Sequence, residues 1–198
     1  TLRQLGIAAR RRRAETYGLG LVLGNGSNRL IELANAYACL ARGGVWQPCE
    51  ARELRGSPLA DRAAEARTIY SEGACWLVAE MLGGGERAQD AVGHRAEVGL
   101  PRFAWKTGTS SGFRDAWTVA WNPDYAVAVW CGFKTGQRGP DSLVGKKVAA
   151  PVAWEIIRSL YPAGGAPWYA RPASVAEREV CAVSGRAAGP LCERRTLD

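Results

Sequence analysis

The 198-residue sequence contains no apolar run approaching the roughly 20 residues that would span a bilayer as a helix. None of its six cysteines forms a Cys-x-x-Cys pair, which argues against a structural zinc site, and no metal is expected. The glycines at 18, 20 and 24 are wrongly spaced for a dinucleotide fingerprint, and no Gly-Lys-Ser/Thr follows to make a phosphate loop. A nucleotide site is therefore rejected, and no cofactor is expected. Histidine occurs once, at His94, in a polar Gly-rich stretch where solvation is the simpler reading than catalysis. The chain opens on Thr1 without the basic, apolar and small-residue pattern of a signal peptide. Its first residues (Leu2, Leu5, Gly6) read as the end of a helix already under way, so a piece of a longer protein is expected.

What is present is globular. Hydrophobic residues make up 47% and charged residues 23%, well outside the disordered range, and eight tryptophans supply core material for one domain or one and a part. The net charge of +7 comes mostly from arginine, because only Lys106, Lys134, Lys146 and Lys147 are lysines. A basic balance admits a nucleic-acid partner. The dense run Arg10 to Arg13 nevertheless lacks interleaved aromatics and reads as an exposed turn, so no specific nucleic acid is expected. Cys39, Cys75 and Cys131 sit in apolar segments and read as buried thiols. Cys181 and Cys192 bracket the turn-rich AVSGRAAGPL and are a disulfide candidate, worth roughly 3 kcal/mol in an oxidising compartment.

Periodicity predicts a helix capped by Ser27 and running to about Arg42, with Leu30, Leu33, Ala34, Tyr37, Leu40 and Ala41 on its apolar face. A strand and a surface loop fill 45–70. A second helix starts after Ser71, turns Ala74, Leu77, Val78 and Met81 to the core, and ends at Gly83-Gly84-Gly85. Three strands follow, at 103–109, 115–121 and 125–133, the last two joined by Asn122-Pro123-Asp124. In the third, Tyr125, Val127, Val129 and Cys131 face one way and the small Ala126 and Ala128 the other, which suits helices packed on the alanine side. A basic Gly-rich loop at 134–147 leads to a helix from about Ala150 to Leu160, with Pro151 in its first turn and Val152, Ile156 and Leu160 aligned. Helices, an antiparallel meander and a helix make an α+β architecture.

The informative stretch is KTGTSSGFRDAW, Lys106 to Trp117. Strand alternation puts Phe103, Trp105, Thr107 and Thr109 on one face and Ala104, Lys106 and Gly108 on the other. A cation, two hydroxyls and a glycine within four residues of a strand suit a small carboxylate lying alongside it. The tripeptide alone is weak evidence, because Lys134-Thr135-Gly136 repeats it in a loop.

With AWKTGTSSGFRDAW at 104–117, GLGLVLGNGSNRLIELANAYACLARGG at 18–44 and VCAVSGRAAGPLC at 180–192, the chain resembles the transpeptidase domain of class A penicillin-binding proteins, the 1C type above all. The resemblance implies the α+β fold of penicillin-binding proteins and β-lactamases, incomplete on its N-terminal side. It implies D,D-transpeptidation of peptidoglycan stem peptides ending in D-Ala-D-Ala through a serine acyl-enzyme, with β-lactam antibiotics acylating the same serine. It assigns Lys106 to electrostatic support of the catalytic hydrogen-bond network and the substrate carboxylate, and Thr107 and Thr109 to that carboxylate through their hydroxyls. The backbone N–H of Thr109 becomes an oxyanion donor, and Gly108 admits the substrate as an added β-partner. Arg114 and Asp115 are read as fixing the strand connection.

The family's Ser-x-x-Lys and Ser-x-Asn motifs are missing. No serine from Ser27 to Ser184 has Lys three residues on or Asn two residues on. The expectation is one wall of an active site, inactive alone: residues 1–162 as the C-terminal portion of the transpeptidase domain, and 163–198 as a linker and the start of a small module holding Cys181 and Cys192. A non-catalytic peptidoglycan- or β-lactam-binding module and a basic nucleic-acid-binding domain stand as alternatives. The resemblance further implies an extracytoplasmic setting, a parent protein anchored in the cytoplasmic membrane with a glycosyltransferase domain, and other cell-wall synthesis proteins as candidate partners.

Overall fold

The computed structural model describes residues 1–7, 18–24, 26–49, 65–84, 101–190, 192 and 195–197. The arginine run at 10–13, the loop at 50–64, and the connection at 85–100 with His94 lie outside the described residues.

Residues 1–7 close a helical turn. Ile7 N–H donates to Leu2 C=O (3.1 Å) and Gly6 N–H to Arg3 C=O (3.2 Å), with Gly6 at φ +76°, the bonding of a helix end capped by a left-handed glycine. Helix α1 spans Leu30–Ala41. Its N-cap is Arg29, not Ser27, and the Glu32 carboxylate accepts the Arg29 N–H at 3.4 Å, holding the entry without a serine cap. The helix packs on two sides. Leu33, Ala36 and Cys39 meet Leu5, Ile7 and Trp46, while Tyr37, Leu40 and Ala41 meet Trp121. Leu30, expected on the inner face, is 39% exposed.

A short ladder of β1 (Val45–Trp46) and β2 (Arg67–Thr68) leads to α2, Glu72–Gly83, where the Ser71 hydroxyl accepts the Ala74 N–H at 3.3 Å. The expected inner face of α2 is corrected. Leu77 and Met81 are exposed, as is Ala74; Val78 packs inward as expected, beside Leu82, and Gly73, Cys75, Ala79 and Gly83 are buried. Small residues pack here because large partners fill the space: a Cβ on Gly83 would lie 2.5 Å from the Trp168 ring.

The sheet is a meander of β3 (Ala104–Thr109), β4 (Asp115–Trp121) and β5 (Ala126–Gly132), with neighbours antiparallel. Buried Asn122 makes the β4–β5 turn: its Oδ1 accepts the N–H of Asp124 (3.1 Å) and Tyr125 (2.9 Å), and its amide donates to the Tyr161 hydroxyl (2.8 Å). Helix α3 runs Gly145–Leu160, starting five residues before the expected Ala150. Pro151 therefore sits inside the helix rather than in its first turn. Its ring is exposed, and Ala149, Ala150, Ala153, Trp154 and Ile157 carry the packing, with Val152 and Ile156 turned outward.

The sheet lies between helices. Phe103, Trp105, Ala120, Val127 and Val129 pack on α3, and Ala104, Trp121 and Ala126 face α1 and α2. The alanine side of β5 thus meets helices as expected, and so does the valine side. Cys39 and Cys75 are buried; Cys131 is only half-buried at the rim of the α3 core. After α3, the chain returns over α2. Trp168 Nε1 donates to Glu80 at 2.5 Å, and the Arg102 guanidinium lies 4.0 Å from the Trp168 ring centroid while bonding Glu80 at 2.8 Å. A final pair, β6 (Glu179–Cys181) and β7 (Arg195–Leu197), is antiparallel.

Candidate functional site: the free edge of β3

β3 is an outer strand, and among the described strands only β4 pairs with it. Which backbone groups it offers follows from one bond. Ser110 N–H donates to Asp115 C=O at 2.9 Å, so Ser110 belongs to a hydrogen-bonded antiparallel pair. Alternation then turns Gly108, Lys106 and Ala104 toward β4, and leaves the N–H and C=O of Thr109, Thr107 and Trp105 pointing out of the sheet. The Lys106 ammonium agrees with this geometry: it donates to the outward Thr107 carbonyl at 2.7 Å. Lys106 is exposed, Thr107 half-buried and Thr109 exposed.

The structure thus brings Lys106, Thr107, Gly108 and Thr109 onto one edge strand that, among the described strands, pairs only with β4. It separates them from the duplicate tripeptide. Lys134-Thr135-Gly136 forms an exposed turn, with Gly136 at φ +71° donating its N–H to Phe133 C=O, and the Thr135 hydroxyl donates to Gln137 Oε1 at 3.1 Å. A turn of that kind offers no strand edge.

Two features rigidify the edge. At its end, the Asp115 carboxylate accepts the Ser110 hydroxyl (2.8 Å) and the Trp130 indole N–H (2.9 Å), while Asp115 N–H donates to Ser110 Oγ (2.9 Å). That network locks the 110–114 turn, where Gly112 and Phe113 both take positive φ. Behind the edge, the first turn of α3 docks through a residue that sequence reasoning missed, Gly145. Its N–H donates to Thr109 Oγ1 at 3.0 Å, and its carbonyl accepts the hydroxyl of fully buried Thr118 at 3.3 Å. A Cβ on Gly145 would stand 2.5 Å from the carbonyl oxygens of Gly108 and Trp117. The Pro151 signal concealed this role by placing the helix start too late.

Gly108 contrasts with Gly145. An added Cβ there would meet nothing closer than Trp117 Cβ at 3.7 Å, an ordinary contact. The fold does not require glycine at 108. The Thr109 hydroxyl, committed as acceptor to Gly145, keeps its hydrogen to donate.

Elsewhere, Cys181 and Cys192 are free thiols within hydrogen-bonding reach of one another. Hydrogen bonds from the Ser184 hydroxyl, and from the backbone N–H groups of Ser184 and Val183, bring the Cys181 thiol down to about 7. Gly189 N–H donates to Cys192 Sγ at 3.4 Å. A cavity of about 600 Å³ opens between the end of α1, the start of α2 and Tyr169, lined in part by Cys75, whose thiol burial pushes up to about 11. None of the β3 edge residues lines it. The described residues hold no cluster of three or more metal-ligating side chains.

No family model matches the chain. It is 35% identical over 121 residues to penicillin-binding protein 1C of Escherichia coli (strain K12), covering 60% of this chain and 14% of that protein. It is 26% identical over 185 residues to penicillin-binding protein 1A/1B of Bacillus subtilis (strain 168), covering 84% of this chain and 20% of that protein. The chain therefore spans a fifth or less of the length of these relatives. The crystal structure of penicillin-binding protein 1A from Haemophilus influenzae superposes with a TM-score of 0.70 at 17% identity, over 99% of this chain and 35% of that one. The fold is shared with that protein.

Proposed function

We propose, for a chain that belongs to the penicillin-binding proteins and carries a transpeptidase-related domain, that the β3 edge is the substrate-strand wall of a peptidoglycan D,D-transpeptidase site. The observation that carries the reading is the outward N–H and C=O of Thr107 and Thr109 on an edge that no described strand covers, beside the Lys106 ammonium. An extended peptide adds to such an edge as a further strand. Its terminal carboxylate lies against the ammonium and the Thr107 hydroxyl in charge-assisted hydrogen bonds. The Thr109 hydroxyl hydrogen supplies a further donor, and the Thr109 N–H points at the oxygen of the scissile carbonyl, where negative charge develops.

The chemistry stops there for these residues. A serine nucleophile needs a base beside it, and neither Ser-x-x-Lys nor Ser-x-Asn occurs in the sequence. The chain binds donor peptides and β-lactams at this edge and acylates nothing alone; the serine, its base and the second oxyanion donor come from another part of the parent protein. Residues 1–162 form this portion of the transpeptidase domain, and 163–198 begin a small module whose Cys181 and Cys192 close as a disulfide outside the cytoplasm. No described helix is long and apolar enough to cross a membrane.

The test is an amide chemical-shift titration with a short peptide ending in D-Ala-D-Ala. The Thr107 and Thr109 amides should move, and the Thr135 amide should not. Movement at Thr135 alone, or none at either strand residue, overturns the assignment.

A further inference from the structure

The four lysines of the sequence are not scattered. Lys106 lies on β3, and Lys134, Lys146 and Lys147 all gather at the end of the sheet where β3 finishes. Three contacts establish that placement. Gly132, two residues before Lys134, pairs with Asp115, so the 133–139 loop leaves the sheet beside the 110–114 turn. Gly139 N–H donates to Phe113 C=O at 2.9 Å, tying the two loops together. Gly145, directly before Lys146 and Lys147, is seated on Gly108 and Trp117. Arg114 and Arg138 join the same end, and all of these cations except Lys106 project from loops or the first helical turn, exposed. Among the described residues, the carboxylates at this end are Asp115 and Asp141. The first is held by Ser110 and Trp130, and the second by Arg138 at 2.7 Å.

The two lysines of α3 also stand where a helix disfavours them. The first turn of this 16-residue helix holds Lys146 and Lys147 and no acidic residue, against the sign its dipole prefers. A cation held against the helix dipole beside a peptide-binding edge, as Lys147 is, has an explanation if an anion docks there.

The direction of the bound strand says which anion. On the reading above, the terminal carboxylate lies at Lys106 and Thr107 and the scissile carbonyl at the Thr109 N–H. The peptide therefore runs antiparallel to β3, and its residues upstream of the reacting pair continue past Ser110 over the 110–114 turn. At about 3.3 Å per residue, two or three upstream residues reach roughly 7–10 Å beyond Thr109, within one Debye length of this cationic end. We propose that Arg114, Lys134 and Lys147 form a second anion-recognising surface, which selects donor peptides carrying one or more carboxylates upstream of the terminal pair. It rests on the β3-edge reading, and it adds a substrate preference that Lys106 and the threonines do not supply. An extended acidic peptide fits better than a lipid or nucleic-acid surface, because the cations continue the line of a strand-binding edge.

The experiment titrates the 198-residue chain, by amide chemical shifts, with two peptides of equal length ending in D-Ala-D-Ala. One carries glutamates at the upstream positions and the other glutamines. The acidic peptide should bind about three- to tenfold tighter at 50 mM salt, as expected for a few exposed ion pairs, and the advantage should shrink at 500 mM. The double variant Lys134→Gln/Lys147→Gln should erase that advantage and leave the neutral peptide's affinity unchanged, whereas Lys106→Gln should weaken both peptides alike. Equal affinities for the two peptides in the wild-type chain overturn this proposal while the β3-edge assignment stands. Failure of both peptides to bind overturns both. Phosphatidylglycerol vesicles or duplex DNA bound through Lys134 and Lys147 without an acidic-peptide preference would also overturn it.

Discussion

Replacing Gly145 with alanine sets two physical effects against each other. In a helix, alanine is favoured over glycine by up to about 1 kcal/mol. Against that, the new Cβ would sit 2.5 Å from two carbonyl oxygens, those of Gly108 and Trp117, and 3.2 Å from the Gly108 nitrogen. These are backbone atoms of paired strands and cannot rotate aside, so the start of α3 must lift. Overpacking of this kind costs about 1–3 kcal/mol. Lifting also breaks the bond from Gly145 N–H to Thr109 Oγ1, worth about 1 kcal/mol. The clash wins, for a net loss of about 1–3 kcal/mol and a fall in Tm of roughly 3–9 °C for a chain of this size. Gly108→Ala is the matched control. With Trp117 Cβ at 3.7 Å there is no clash, and a Gly-to-Ala change in a strand stabilises by up to about 1 kcal/mol. Thermal denaturation should therefore lower Tm for Gly145→Ala and leave it equal or higher for Gly108→Ala, while the second variant alone loses peptide binding with its fold intact. A Gly145→Ala protein melting at or above wild type would refute the steric argument. A Gly108→Ala protein that still binds peptide would refute the role given to that glycine.

Three further outcomes follow from particular contacts. Asp115→Ala removes the acceptor of the Ser110 hydroxyl and the Trp130 indole, so urea denaturation should show a loss of about 2 kcal/mol, and unchanged stability would count against the turn lock. In the reduced protein, Cys181 should be the first cysteine alkylated by iodoacetamide near pH 7, because about half of it is thiolate there while Cys75, at about 11, is almost wholly protonated. A group lowered to about 7 is charged above that pH and neutral below, so its alkylation should slow roughly fifteenfold between pH 7 and 5.5; mass spectrometry showing Cys75 modified first would contradict this. Gly83→Ala would press a methyl 2.5 Å from the Trp168 ring and should loosen the 163–172 segment from α2, read as faster amide exchange there.

The sheet was legible in the sequence because its signals are local. Alternation set β3, β4 and β5 to within a residue or two, and Asn122-Pro123-Asp124 marked their turn. Helix existence was equally local, but which face turns inward depends on what lies across from it. In α2 the large apolar residues Leu77 and Met81 point outward, because the facing wall already holds Trp121 and Trp168 and is met most closely by Gly83, Ala79 and Cys75, with Val78 and Leu82 at its margin. In α3, Pro151 carries a first-turn signal that places Gly-Lys-Lys at 145–147 in the preceding loop, whereas the helix already begins at Gly145. The candidate residues Lys106 to Thr109 could be singled out from the sequence because a cation, two hydroxyls and a glycine on one strand state what they offer a carboxylate. Gly145 could not, because its role is an absence of side chain against backbone 28 to 37 residues away, which no local pattern announces.

The central claim is that the β3 edge around Lys106 is one wall of a penicillin-reactive site whose nucleophile lies outside this chain. Labelling with a fluorescent penicillin tests it most directly, comparing these 198 residues with the parent protein carrying its Ser-x-x-Lys segment, each as wild type, Lys106→Ala and Lys134→Ala. The account predicts no covalent label on this chain, labelling of the parent, strongly slowed labelling for Lys106→Ala, and near-normal labelling for Lys134→Ala. A label on the isolated chain, or a parent that labels as fast without Lys106 as with it, would contradict it.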